Sequence, residues 1–109
     1  MVQIGKGGDD VRSKKPMAVG ALPQNLGFLP INHAEGKQAV ILSVDEYEAI
    51  RLMDREGVSQ VECGIRMNVS RATVQRIYSS ARKKIASSLV DGLPLQIEGG
   101  NYQLKEGKE

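Results

Sequence analysis

Residues 59–79 read SQVECGIRMNVSRATVQRIYS, and this stretch decides the fold. It has the pattern of a helix-turn-helix, two short helices joined by a tight turn that holds the second against the DNA major groove. Ser59 can cap the first helix, with Glu62 three residues on completing a capping box. Gly64 stands where the second helix must pass closest, so a side chain there would push the two apart. Asn68 occupies the turn, where a left-handed backbone is required and Asn is the best substitute for Gly. Ser70 caps the second helix, and Val69 and Val74 flank that cap as a hydrophobic staple. Cys63, Met67, Val69, Val74 and Ile77 are the inward set that joins the two helices. A plain helical hairpin with no nucleic-acid role would share part of the apolar pattern. The small residue, the turn Asn and the two Ser caps at consistent offsets favour the helix-turn-helix.

Upstream, the apolar run 39–42 is a short strand or a lead-in to a helix over about 44–56. Ser43 caps that helix, Glu46 completes a second capping box, and Leu42 and Tyr47 can form a staple. Val44, Tyr47, Ile50 and Met53, widened by Ala49 and Leu52, form its apolar stripe, and Gly57 ends it. It is acidic, and is expected to pack behind the reading unit. Downstream, a long helix spans about 71–90, with Val74, Ile77, Tyr78, Ala81, Ile85 and Leu89 in one stripe before Gly92 and Pro94 stop it. Its second half, with Arg82, Lys83 and Lys84, is either a phosphate-contacting edge or a solvated face. Residues 95–97 and 102–104, around Gly99, Gly100 and Asn101, read as a small β-hairpin. A lone hairpin is marginal in water, so it must dock on the helices, pair with the run 39–42, or pair with a second subunit.

The chain has 109 residues, enough for one domain with a small aliphatic core but not for an enzyme with a deep cleft and a lid. Net charge is only +2, yet it is polarised. Asp45, Glu46, Glu48, Asp54 and Glu56, against Arg51 and Arg55, precede the reading unit, whereas Arg66, Arg71, Arg76, Arg82, Lys83 and Lys84 lie within it or follow it, against Glu62 alone. The single cysteine, Cys63, rules out an intrachain disulfide and a Cys-rich metal site, and reads as a small buried hydrophobe. His33, the sole histidine, stands in the Gly- and Pro-punctuated loop 25–37 with no ligand cluster around it. No cofactor or metal is expected. No apolar run has membrane length and no secretory signal is evident, so the expected location is the cytoplasm. Residues 1–25 read as a flexible basic tail, the alternative being an arm that tracks phosphates or enters a minor groove. Residues 26–104 form the domain and residues 105–109 a polar tail.

Three pieces taken together, EAIRL before the reading unit, MNVSRATVQRI across the turn and the closing IEGGNY, resemble a family of small prokaryotic proteins known as domain of unknown function 134. The family's helix-turn-helix is in turn similar to region 4 of the primary sigma factors. The resemblance implies a DNA-binding protein of that kind, a transcriptional regulator. It also implies a mainly α fold, with a three-helix core of sigma-region-4 or winged-helix type. Relatives commonly carry two Ala where this chain has Cys63 and Gly64, and Gly where it has Asn68. Gly64 costs roughly 1 kcal/mol of helix propensity relative to Ala.

The residues expected to touch DNA follow from the helix faces. The start of the second helix, at Ser70, suits a phosphate. Arg71, Ala72, Gln75, Arg76 and Ser79 project away from the inward stripe. Arg71 and Arg76 can read guanine, Gln75 adenine, and Ala72 a thymine methyl. Thr73 is divided between backbone contact and packing; Ser59 and Gln60 are placed for phosphates, and Arg82 and Lys83 for the flanking backbone. Expected partners are double-stranded DNA and a second copy of the chain. The alternative function is a protein-interaction module that binds RNA polymerase or a regulatory partner through the acidic helix and the hairpin. No Ser-His-Asp set, paired carboxylates or phosphate loop can be assembled, so no enzyme is expected.

Overall fold

The computed structural model describes residues 16–105 of the chain. Expectations that concern residues 1–15 and 106–109 lie outside it. The described chain runs β1 (Met17–Val19), β2 (Gly27–Phe28), β3 (Val40–Leu42), α1 (Val44–Ile50), α2 (Gln60–Met67), α3 (Arg71–Asp91), β4 (Leu95–Ile97) and β5 (Tyr102–Leu104). It is mainly helical, and no helix among the described residues is long and apolar enough to cross a membrane.

Each helix starts where a serine can serve it. Ser43 accepts from the Glu46 backbone N–H, and the Glu46 carboxylate accepts from the Ser43 N–H at 2.9 Å, a complete capping box. Ser59 caps α2 and Ser70 caps α3 in the same way. At α2 the box is only half made. Ser59 Oγ accepts from the Glu62 N–H, but the Glu62 carboxylate turns to Arg66 at 3.0 Å, a charged partner one helical turn on. The first helix does not run uniformly to residue 56. Beyond Ile50 it widens into a π-helical turn, Arg51–Arg55, in which the Glu56 N–H reaches back to the Arg51 carbonyl.

Two apolar clusters form the core. Ala49, Leu52, Cys63, Met67, Val74 and Ile77 join α1, the π turn, α2 and the first half of α3. Val19, Leu42, Val44, Ala81 and Ile97 join the strands to α1 and the middle of α3. The α1 acids are not displayed to solvent: Asp45, Glu46 and Glu48 are all buried. Glu48 accepts from the Gly20 N–H at 2.9 Å and forms two bonds with the Arg51 guanidinium, also 2.9 Å each. Glu46 accepts from Ser80 Oγ and from Lys84 Nζ, the latter at 2.8 Å.

The C-terminal hairpin is not formed. β4 is the central strand of a three-stranded sheet, antiparallel to β2 and parallel to β3, so both its edges are occupied. β5 instead runs parallel to β1, with Met17 opposite Tyr102 and Val19 opposite Leu104. The segment between β4 and β5 explains the divergence. Gly99 and Gly100 take φ of 77° and 103°, and the Val44 N–H donates to the Gly99 carbonyl at 2.9 Å. A Cβ on Gly100 would collide with Asp45 Oδ1 and crowd Ser43 Cβ. The turn is thus pressed onto the start of α1 and cannot close a two-strand ladder. The pairing of β4 with residues 40–42 is one of the three resolutions the sequence allowed for this segment.

Two further expectations need correction. The flexible tail does not extend to residue 25, because β1 lies inside it and Val19 is fully buried against Leu42 and Ile97. Leu89 is not part of the inward stripe of α3. It is 81% exposed, because α3 outruns the core clusters, whose last member on this helix is Ala81.

Candidate nucleic-acid interface

The site is built on the junction of α2 and α3. Asn68 ends α2 with φ 60° and ψ 45°, the only non-glycine residue at positive φ among those described. Its N–H reaches the Ile65 carbonyl, and the Val69 N–H returns to the Gly64 carbonyl at 2.9 Å. Close approach at this point depends on Gly64. A Cβ there would lie 2.9 Å from the Val69 carbonyl oxygen and 3.4 Å from Val74 Cγ2. The turn is therefore confined to Asn68 and Val69, with Ser70 as the cap of α3, which starts at Arg71.

On α3, at about 100° per residue, Ala72, Arg76, Ser79 and Lys83 fall on one line opposite Val74, Ile77 and Ala81. All four are exposed. Arg76 has no ion pair or side-chain hydrogen bond among the described residues. Arg71, Gln75 and Arg82 fall on the flank nearer α2 and the π turn. There, Gln60 Oε1 accepts from Arg71 Nε at 3.0 Å and from Gln75 Nε2 at 3.3 Å. One glutamine at the start of α2 thus aligns two polar side chains of α3.

The remaining expected residues divide between structural and surface places. Ser59 and Ser70 are exposed, but both hydroxyls are engaged as helix caps. Thr73 is half-buried, and its Oγ1 accepts from Ser70 Oγ at 3.0 Å, so it belongs to the cap rather than to the outward line. Arg82 is held back: its Nε donates to Asp54 Oδ2 at 3.1 Å, and its guanidinium lies 5.3 Å from the centre of the Tyr78 ring. Tyr78 donates to Asp54 Oδ1 at 2.6 Å. That hydrogen bond, with burial and the Asp54 charge, pushes the phenol up from its ordinary range. Nothing local in the sequence marks Asp54 as the anchor of this cluster, although the spacing of Tyr78 and Arg82 places them on one helical face. Burial, reinforced by the charge of Glu48, likewise raises the Cys63 thiol, as suits a core residue.

The acids are turned elsewhere. Between Cys63 and Val90 the chain has no carboxylate. Those of α1 are buried, Asp54 is bound to Arg82 and Tyr78, and Glu62 is bound to Arg66. Beside the turn, Val61 and Ile65 of α2 are 55% and 68% exposed.

Residues 7–105 match the family described as "Protein of unknown function DUF134". The chain belongs to this family. It is similar to the UPF0251 protein of Desulfitobacterium hafniense strain DSM 10664 / DCB-2, with 53% identity over 97 residues that cover 88% of this chain and 78% of the relative. A second UPF0251 protein, from Ruminiclostridium cellulolyticum, is 44% identical over 97 residues, covering 89% of this chain and 75% of the relative. A third, from Halothermothrix orenii, is 45% identical over 94 residues, covering 85% and 70%. No solved structure matches the chain.

Proposed function

We propose that this member of the family is a sequence-specific DNA-binding protein, a transcriptional regulator whose α2–turn–α3 unit is a helix-turn-helix of the sigma-region-4 kind. The observation that carries this reading is the exposed line Ala72, Arg76, Ser79, Lys83 at the front of α3, flanked by the Gln60–Arg71–Gln75 cluster and free of carboxylates. Such a face suits a major groove, where guanidinium groups pair with guanine edges and glutamine with adenine. Arg76, central and without an ion pair among the described residues, is the leading base reader. Arg71 and Gln75 are held in a fixed arrangement by Gln60, which lowers the entropy lost when they dock. The N-terminus of α3 and Lys83 suit phosphates on either side.

The test is binding to random duplex DNA at several salt concentrations, followed by selection of preferred sequences. A steep salt slope with an enriched motif supports the reading, and no binding at low salt overturns it. Arg76→Ala should cost about 1–3 kcal/mol at one base position and relax specificity there.

A second reading, an interaction module for RNA polymerase or another protein, is favoured by Val61 and Ile65 beside the turn. It does not draw support from the surfaces first expected to serve it, since the α1 acids are buried and β4 and β5 form no hairpin. Replacing Arg71 and Arg76 by Glu separates the two. Loss of DNA binding with partner binding intact favours the regulator.

A further inference from the structure

The end of α3 remote from Ser70 carries a second surface of different chemistry. Leu89 and Val90 on its last turns, together with Leu26, Phe28, Leu29 and Ile31 around β2, are all more than half exposed, and Ile31 is fully so. The two sets are neighbours: Phe28, Leu29, Ile31, Leu89 and Val90 line one open groove. Isolated exposed apolar residues need no explanation, but a contiguous patch drawn from two segments marks an interaction surface.

We propose that this groove is a twofold interface between two copies of the chain. A twofold contact demands a surface complementary to itself, so that each copy supplies both halves of every contact. The groove offers apolar surface for this, because Ile31, Leu89 and Val90 are exposed along it and each copy could bury them against the other's. It also meets the demand in charge. Lys37 and Asp91 both line the groove, with Lys37 Nζ on the Asp91 carbonyl at 3.1 Å, and the Asp91 carboxylate has no ion pair among the described residues. Across a twofold axis, each copy's Lys37 would meet the other's Asp91. A patch that is apolar and balanced in charge suits neither DNA nor a strongly charged partner.

The assignment places the interface away from the reading face. α3 has 21 residues, a length of about 30 Å at 1.5 Å per residue. Joining two copies at the far ends leaves both α3 N-termini free. The dimer deepens the DNA-binding reading, because twofold proteins of this type use two half-sites, but its own evidence is the groove, and it is tested without DNA.

The experiment is sedimentation equilibrium of the full chain over a wide concentration range, beside Ile31→Glu and Leu89→Glu. Both residues are exposed, so the variants should fold, as helical circular dichroism will check. The expected result is a two-chain mass for the parent and dimerisation weakened by about thirtyfold or more in each variant, the scale of a lost interface anchor. A single-chain mass for the parent at every concentration overturns the proposal. In that case, uptake of a hydrophobic dye after deletion of residues 1–15 would assign the groove to the chain's own N-terminal segment. Variants that are folded and associate as tightly as the parent also overturn it. A dimer that binds no DNA would sink the regulator reading and leave this one standing.

Discussion

Lys84 Nζ lies 2.8 Å from Glu46 Oε1, and this ion pair ties the middle of α3 to the first turn of α1. The same carboxylate accepts from Ser80 and from the Ser43 N–H, so one acid caps its own helix and grips a second. Burial alone would raise the Glu46 carboxyl, but the bonds from Lys84, Ser80 and Ser43, with the Lys84 charge, outweigh it and hold the group below its ordinary range.

A carboxyl with a depressed folded-state value stabilises the fold above the unfolded value of about 4.3, and that contribution is lost as pH falls through the folded value. Acid unfolding of the parent should therefore be shallower in Lys84→Ala, which removes the strongest bond holding Glu46 ionised. At neutral pH the same variant should lose about 1–3 kcal/mol, the scale of a charge-assisted hydrogen bond. Urea unfolding at neutral pH and near pH 3, clearly below the unfolded value of about 4.3, checks both. An equal loss at the two pH values would show that Glu46 is not the linked group.

Asp54 acts as a tether on Arg82. If the face of α3 meets DNA, Asp54→Asn should free the guanidinium to reach a phosphate, tighten binding on every sequence alike, and steepen the salt slope by about one unit. The same substitution should let the Tyr78 phenol ionise at a lower pH, since the Asp54 bond is the main cause of its upward shift. A phenol that titrates earlier with an unchanged salt slope would place Arg82 outside the DNA contact.

Gly64 sets how closely the α2–α3 turn folds back. Gly64→Val would drive side-chain atoms into the Val69 carbonyl and Val74, and should destabilise the protein by about 1–3 kcal/mol, the usual cost of overpacking. Thermal unfolding measures this. Stability at or above the parent's would mean that the turn has slack that the 2.9 Å approach does not suggest.

What the sequence disclosed and what it concealed divide along range. The Ser43, Ser59 and Ser70 caps, the left-handed Asn68 and the inward Val74, Ile77 and Ala81 are consequences of neighbours three or four positions apart, and they are legible as such. β3, β4 and β5 were legible as short segments, but β1, β2 and the partner of β5 were not. Three residues such as 17–19 have no period long enough to identify, and their pairing with residues 102–104 is decided by the far end of the chain. The hairpin expectation rested on Gly99 and Gly100 as a turn, without knowing that β2 and β3 already occupy both edges of β4. Leu89 keeps the helical spacing of the core stripe, and nothing local shows that the core stops short of it. At the candidate site the outward line was readable from the helical period. The tether from Asp54 to Arg82 crosses 28 positions and was not.

The parallel pairing of Met17 with Tyr102 fixes an order of assembly. Helices α1 to α3 are specified by contacts close in sequence and can form while the chain is still emerging from the ribosome. Neither sheet can close until synthesis has passed residue 97 for β4 and residue 104 for β5. During that interval Val19, Leu42 and Val44 have no strand to cover them, and the nascent protein is at its most exposed to proteases and to premature association.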